Sequence, residues 1–131
     1  ETRIVYVDPE SFAHWKKTGE FKDGTMMVKE LLSIGAKEGF GSGKGFFMGE
    51  YYGLEASVKD AKRFANEPGN WAYYIFSLPD KPLVKAAANF PTADCAACHK
   101  AGAKDDMVFT QFYPVLRAAK ATGAAGVAPP K

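Results

Sequence analysis

Several things are scarce in this chain, and each scarcity removes a class of protein. Charge of one sign is scarce: seventeen Lys and Arg oppose fifteen Asp and Glu, a net charge of +2. Composition therefore gives no case for a nucleic-acid partner. Long apolar runs are missing: none reaches the roughly 18 residues expected of a membrane span. Thiols and imidazoles are few, with two cysteines and two histidines in 131 residues. That is too few for a disulfide framework, and a four-ligand zinc site would have to recruit His14 and carboxylates. No internal repeat is visible. The chain begins at Glu1 rather than Met, as a processed or trimmed product does. What is plentiful is apolar and aromatic content, 47% and 14%. A chain of this length forms one domain, here 1–131, and buries roughly two-thirds of its unfolded surface.

The two cysteines stand together in Cys95-Ala96-Ala97-Cys98-His99. This is C-x-x-C-H, the attachment pattern of a c-type haem. The thiols add across the haem vinyl groups, and the adjacent His99 is placed to ligate the iron from the proximal side. The motif consumes both cysteines and leaves neither a disulfide nor a free thiol. A thioredoxin-like dithiol would follow a buried strand in a βαβ setting. Here Asn89-Phe90-Pro91-Thr92-Ala93-Asp94 reads as a loop and the start of a short helix. Covalent haem attachment takes place outside the bacterial cytoplasm, so a periplasmic location is expected.

Pattern predicts strands first and helices afterwards. Arg3–Val7 is β-branched and aromatic, a strand. Asp8-Pro9-Glu10-Ser11 starts a helix that Gly19 stops, with Phe12 and Trp15 on its buried face and His14 off it. Thr25–Ile34 reads as a strand with Met26, Val28, Leu32 and Ile34 on one face and Met27, Lys29 and Leu31 on the other. Gly39–Gly45 reads as a loop, and Phe46–Val58 as a long strand with bulges at Gly49 and Gly53. A turn at Glu67–Asn70 leads to a strand over Trp71–Phe76. Leu83–Asn89 is expected to be helical. Asp106–Ala121 is the clearest helix, with Met107, Phe109, Phe112, Leu116 and Ala119 as its packed stripe, and Pro114 kinks it or lies near its start. The tail at about 123–131 is expected to be mobile. The sum is an α+β fold, mainly an antiparallel sheet with packed helices, and the haem motif on the C-terminal helical part.

Two charged residues stand on apolar faces. Lys29 lies between Met27 and Leu31; buried, it must lose its charge or find a partner. A neutral amine is a nucleophile that could join a haem edge. An ion pair with a nearby carboxylate, or exposure on an edge strand, explains it equally. Alternation puts Glu55 with Phe47, Gly49, Tyr51, Gly53 and Ser57, where it serves as a proton relay or stands in solvent. Phe46, Phe47 and Tyr51 either wall a distal pocket or pack the sheet. Met26, Met27, Met48 and Met107 read as core filler rather than iron ligands.

Taken together, several stretches resemble a known family. They are Val5–Ser11, His14–Gly19, Lys29–Leu31, Gly53–Lys59, Phe64–Trp71, Cys95–Lys100 and Phe112–Lys120. They are similar to the cytochrome P-460 family of ammonia-oxidising bacteria along essentially the whole chain. Family members carry a further N-terminal segment before the strand at Arg3. The resemblance implies an antiparallel β fold with packed helices, usually dimeric. It implies haem c with His99 as proximal iron ligand and an open distal side. It also implies a bond from the Lys29 nitrogen to a haem meso carbon, and Glu55 as the distal carboxylate. The implied reaction is oxidation of hydroxylamine to nitrous oxide and/or nitric oxide, with a periplasmic cytochrome c as electron acceptor. The alternative is a gas-binding protein of the cytochrome c′-beta type, which shares the fold but lacks the lysine bond and the distal acid.

Overall fold

The computed structural model describes residues 1–124, without the side chains of Thr92 and of 121–124. The first strand, β1 (Thr2–Val7), runs into helix α1 (Pro9–Thr18). The helix start is chemically defined. Asp8 is extended, its carboxylate accepts from the Ser11 N–H at 2.8 Å, and Pro9 supplies the first helical position. Gly19 ends the helix in the left-handed conformation at φ 74°, donating its N–H to the Trp15 carbonyl.

Strands β2 (Met26–Gly39) and β3 (Gly43–Lys59) form a long hairpin. A short 3₁₀ turn at Pro68–Asn70 leads to β4 (Trp71–Ser77), and β5 (Asn89–Phe90) closes the sheet. The five strands lie in the order β1-β2-β3-β4-β5, all antiparallel. Helix α2 (Thr92–Gly102) carries the C-x-x-C-H motif, and α3 (Pro114–Ala124) ends the described chain. The expected α+β architecture is what is seen.

Helices cover one sheet face only. The strand residues in the core cluster are Val5, Val7, Met27, Trp71 and Tyr73, which the register places on a common face. They meet Trp15, Phe21, Ala96, Leu116 and Ala119. Trp15 is fully buried and its Nε1 donates to the Leu116 carbonyl at 2.8 Å, tying α1 to α3. Its ring stacks on Phe21 at 4.4 Å, and Phe21 meets Trp71 edge-on at 6.2 Å. The opposite face leaves Tyr6, Met26, Ile34, Phe46 and Met48 about half exposed or more. Beyond Leu32 and Leu54 the β2–β3 hairpin extends past both neighbouring strands as a two-stranded arm.

Three local expectations are corrected. Gly39–Gly45 is mostly strand: Gly39 pairs Gly43 and Lys37 pairs Gly45, leaving only 40–42 as the turn. Leu83–Asn89 is not helical. A short helix needs a packed face, and here Leu83 and Val84 are exposed while Asn89 and Phe90 are claimed by pairing with β4. The last helix starts at Pro114, not Asp106, because proline tolerates the first helical turn and forces Tyr113 extended. Residues 106–113 are instead a turn and a 3₁₀ segment. The expected mobile tail lies outside the described residues from 125 onward, and Gly123 belongs to α3. The bulges do fall beside the two glycines, where β2–β3 register shifts between Leu31 and Ile34.

Trp15→Ala removes the side chain that joins both helices to the sheet. It should cost about 3–5 kcal/mol, read as a lower urea midpoint with an unchanged slope.

Candidate functional site

The cleft lies between the covered sheet face and the segment 106–113, with a volume of about 220 Å³. Its position follows from register. Lys29 of β2 stands opposite Glu55 of β3, and Ser57 stands opposite Tyr73 of β4. Alternation aims all four side chains to the helix side. Arg3 and Val5 of β1 complete the sheet wall, and Met107, Val108, Phe109, Phe112 and Tyr113 form the facing wall.

Lys29 Nζ and Glu55 Oε2 are 2.5 Å apart, each side chain about 30% exposed. Lys29 is thus on a central strand and has found a carboxylate. Of the readings the sequence left open for Lys29, the ion pair is realised, and Glu55 is its partner rather than a solvent-facing strand residue.

His99 borders the same cleft from α2. Its Nδ1 lies 2.6 Å from the Met107 carbonyl. A carbonyl only accepts, so Nδ1 is the donor, which in the neutral imidazole leaves the lone pair on Nε2. Tyr73 and Phe109 flank the ring, each at 4.9 Å between centroids. The imidazole is held in tautomer and in orientation, as an axial iron ligand requires. Cys95, Cys98 and His99 occupy positions i, i+3 and i+4 of one helix, so they share a face. Cys95 is half-buried against the core, and Cys98 is exposed. Burial pushes the Cys95 thiol up, and the Glu55 and Asp94 charges add to the effect.

Two further groups test whether a haem suits this cleft. The Trp71 Nε1 and Tyr73 hydroxyl are buried and have no hydrogen-bond partner among the described residues. An unpaired buried donor costs about 1–3 kcal/mol, so the cleft wants a guest carrying acceptors. Burial, with Cys95 and Asp106 adding, raises the Tyr73 phenol well beyond its ordinary range, so it stays a donor. A haem has carboxylates to accept from such donors, a flat apolar body for the aromatic walls and an iron for Nε2. The residues fit it. Among the described residues no group of three or more His, Cys, Asp and Glu is set to hold a bare metal ion.

A model of the family described as cytochrome P460 matches residues 1–110. The chain belongs to the cytochrome P460 family. A comparison with curated proteins gives no match. Membership makes this a cytochrome, an iron-containing haem protein of the c type. The span shared with the cytochrome P460 family includes Lys29, Glu55, Cys95, Cys98 and His99, and it stops before α3.

In this cytochrome P460 chain the fold gathers Lys29, Glu55 and His99 around one cleft. It does not bring Phe46, Phe47 and Tyr51 there. The irregular register between Gly53 and Met48 separates them from Glu55, and they belong to the projecting arm, with Phe46 and Tyr51 exposed. Met27 and Met107 line the cleft, whereas Met26 and Met48 are exposed away from it. His14 sits on α1 and is not among the lining residues. Sequence reading missed Arg3, Trp71, Tyr73 and Tyr113. Alternation along β4 carried the signal for Trp71 and Tyr73, which share a face. Tyr113 was hidden by assigning 106–121 to one helix.

The turn that supplies the Met107 carbonyl is pinned on one side by Asp105. Burial alone would raise the Asp105 carboxyl, but hydrogen bonds from Lys120 Nζ at 2.6 Å and from the Thr110 hydroxyl outweigh it and hold the value below the usual range. A carboxyl depressed in the folded state stabilises fully above its unfolded value of about 3.9, and that contribution is lost as pH falls through the folded value. Urea unfolding from about pH 5 down to about pH 2 should show stability falling. Asp105→Asn should flatten that fall while lowering stability near neutrality.

Proposed function

We propose that this protein oxidises hydroxylamine to nitrous oxide and/or nitric oxide, at a haem c held by thioethers to Cys95 and Cys98 and ligated by His99. What carries the reading is the Lys29–Glu55 pair, an amine and a carboxylate 2.5 Å apart in the cleft that His99 borders. When bound, the haem supplies the electron-accepting centre. Oxidising hydroxylamine sheds protons together with electrons, so a base is needed beside the substrate. Glu55 is that base. It sits on a strand interior, fixed by pairing on both sides, and not on a loop.

Lys29 plays the second part. Glu55 holds the Lys29 ammonium and can take its proton, which frees the amine as a nucleophile. In this reading Lys29 Nζ would replace the hydrogen of a haem meso carbon, a coupling that releases two protons and two electrons and so requires an external two-electron oxidant of the peroxide class, and it would change the cofactor's electronics lastingly. That bond removes the cation from Glu55 and leaves its carboxylate free to accept protons from substrate. Arg3, whose guanidinium is held at 2.7 Å by Glu1, lends positive charge to the same side of the cleft. Electrons leave to a periplasmic cytochrome c.

The protein acts as a homodimer in this reading. The support is the set of exposed apolar side chains outside the helix-covered face, Tyr6 and Met26 on the sheet and Ile34, Met48 and Phe46 on the arm. A two-stranded arm is marginal by itself, and a second copy packed on this face supplies the missing layer.

Two experiments test these assignments. Glu55→Gln should retain the haem spectrum while hydroxylamine turnover with an artificial oxidant falls by about 10²-fold or more. Tryptic digestion should leave the Lys29 peptide on the haem peptide in the wild type. Unchanged turnover in the variant removes Glu55 as base, and a released Lys29 peptide in an inactive protein favours the gas-binding alternative. For the assembly, sedimentation should give a dimer that Ile34→Glu combined with Met48→Glu converts to monomer; a wild-type monomer at micromolar concentration refutes it.

A further inference from the structure

The carbonyl that orients His99 comes from an unusual piece of backbone. Asp106 and Met107 are consecutive non-glycine residues with positive φ, 46° and 64°. Such conformations are disfavoured for residues with a Cβ, and they persist only where surrounding contacts hold them. Backbone hydrogen bonds between Asp105 and Val108, 2.8 and 3.4 Å, close this two-residue turn on itself, and one side-chain contact ties it to the sheet. Lys59 Nζ makes an ion pair and hydrogen bond with the Asp106 carboxylate. Both side chains are largely withdrawn from water, 17% and 25% exposed, so solvent screens the pair far less than it screens a surface pair.

Lys59 is itself rigidly mounted. It is the last residue of β3, it faces Trp71 in register, and its ammonium lies 5.7 Å over the Trp71 ring. Its backbone N–H donates to the Thr25 carbonyl at 2.9 Å, and its carbonyl accepts from Gly24 at 2.7 Å. The turn also presses on Gly69, itself at φ 62°. A Cβ built there would stand 2.9 Å from Met107 Cγ, so a side chain at 69 would push the turn away.

We propose that Lys59 is a positioning residue for the iron ligand: by clamping Asp106 it holds the strained Asp106–Met107 turn, and so aims the Met107 carbonyl at His99 Nδ1. The link runs from sheet to turn to imidazole without Lys59 touching the histidine. A proximal imidazole that donates strongly through Nδ1 gains basicity at Nε2 and binds iron more tightly. Second-shell hydrogen bonding of this sort is one of the protein's means of setting haem potential. Slackening the clamp should therefore weaken the iron–imidazole bond and raise the potential. The inference rests on His99 being the ligand.

The test uses the haem-loaded protein and reads the iron–histidine stretching band of the ferrous form and the reduction potential, alongside turnover. Lys59→Met should move the band to lower frequency and the potential upward, and Lys59→Arg should restore both. Lys22→Met, which breaks an ordinary surface pair with Glu10, should change neither. Asp106→Asn keeps a residue type that tolerates left-handed backbone but removes the charge. It should shift both readings in the same direction, and it decides the matter if Lys59→Met fails to take up haem. A folded Lys59→Met or Asp106→Asn protein with wild-type band and potential overturns the proposal. A wild-type protein with no iron–histidine band refutes the His99 assignment itself, and the positioning role with it.

Discussion

Trp15 is where the two halves of the chain are joined. Its ring is wholly buried, stacked on Phe21 and through it set against Trp71 of the sheet. Its indole N–H reaches Leu116, one hundred and one positions later in the chain. This single side chain forces α1 and α3 onto the same sheet face. With both helices on that face, α2 and the 106–113 segment have only the remainder of it to cover. The cleft is the space between that remainder and the segment laid over it. Stability and site therefore share one cause, burial of apolar surface on one side of a five-stranded sheet.

The same one-sidedness leaves a consequence on the other side. An antiparallel sheet tolerates an open face when that face is polar. Here it carries Tyr6, Met26, Ile34, Phe46 and Met48, and it continues onto an arm that no neighbouring strand supports. The cleft is thus walled by α2 and the 106–113 segment on one side of the sheet, while the back of the sheet is left uncovered. Charged groups follow the same division of labour. Lys29 and Glu55 face each other across the central strands. Lys59 with Asp106, and Lys120 with Asp105, fasten the turn that backs His99.

Much of the fold was legible from pattern. Asp8, Pro9 and Gly19 marked α1 because capping chemistry is local. The alternation in Met27-Val28-Lys29-Glu30-Leu31 marked a strand and put Lys29 on its covered side. The misread segments have a common cause. Leu83–Asn89 has helical composition but no face to bury, and pairing with β4 claimed its last residues. Asp106–Phe112 has helical periodicity, yet Pro114 and the ion pairs of Asp105 and Asp106 hold it in turns. In both places contacts distant in sequence overrode a local preference. Phe46, Phe47 and Tyr51 were displaced from the pocket for a similar reason: bulges shift which residues share a face, and periodicity cannot count them.

The residue types and spacings by themselves determined that this is a C-x-x-C-H protein with His99 beside two thiols, and that a lysine and a glutamate stand on strand faces. Those are properties of short stretches, carried by covalent chemistry and side-chain alternation. Only the tertiary structure decided that Lys29 and Glu55 are 2.5 Å apart, that Trp71 and Tyr73 of the cleft wall bury donors with no partner among the described residues, and that Met107 offers its carbonyl to His99. The reason is physical. Register between strands and the path of a turn are set by which distant surfaces bury together, and no window of neighbouring residues contains that information.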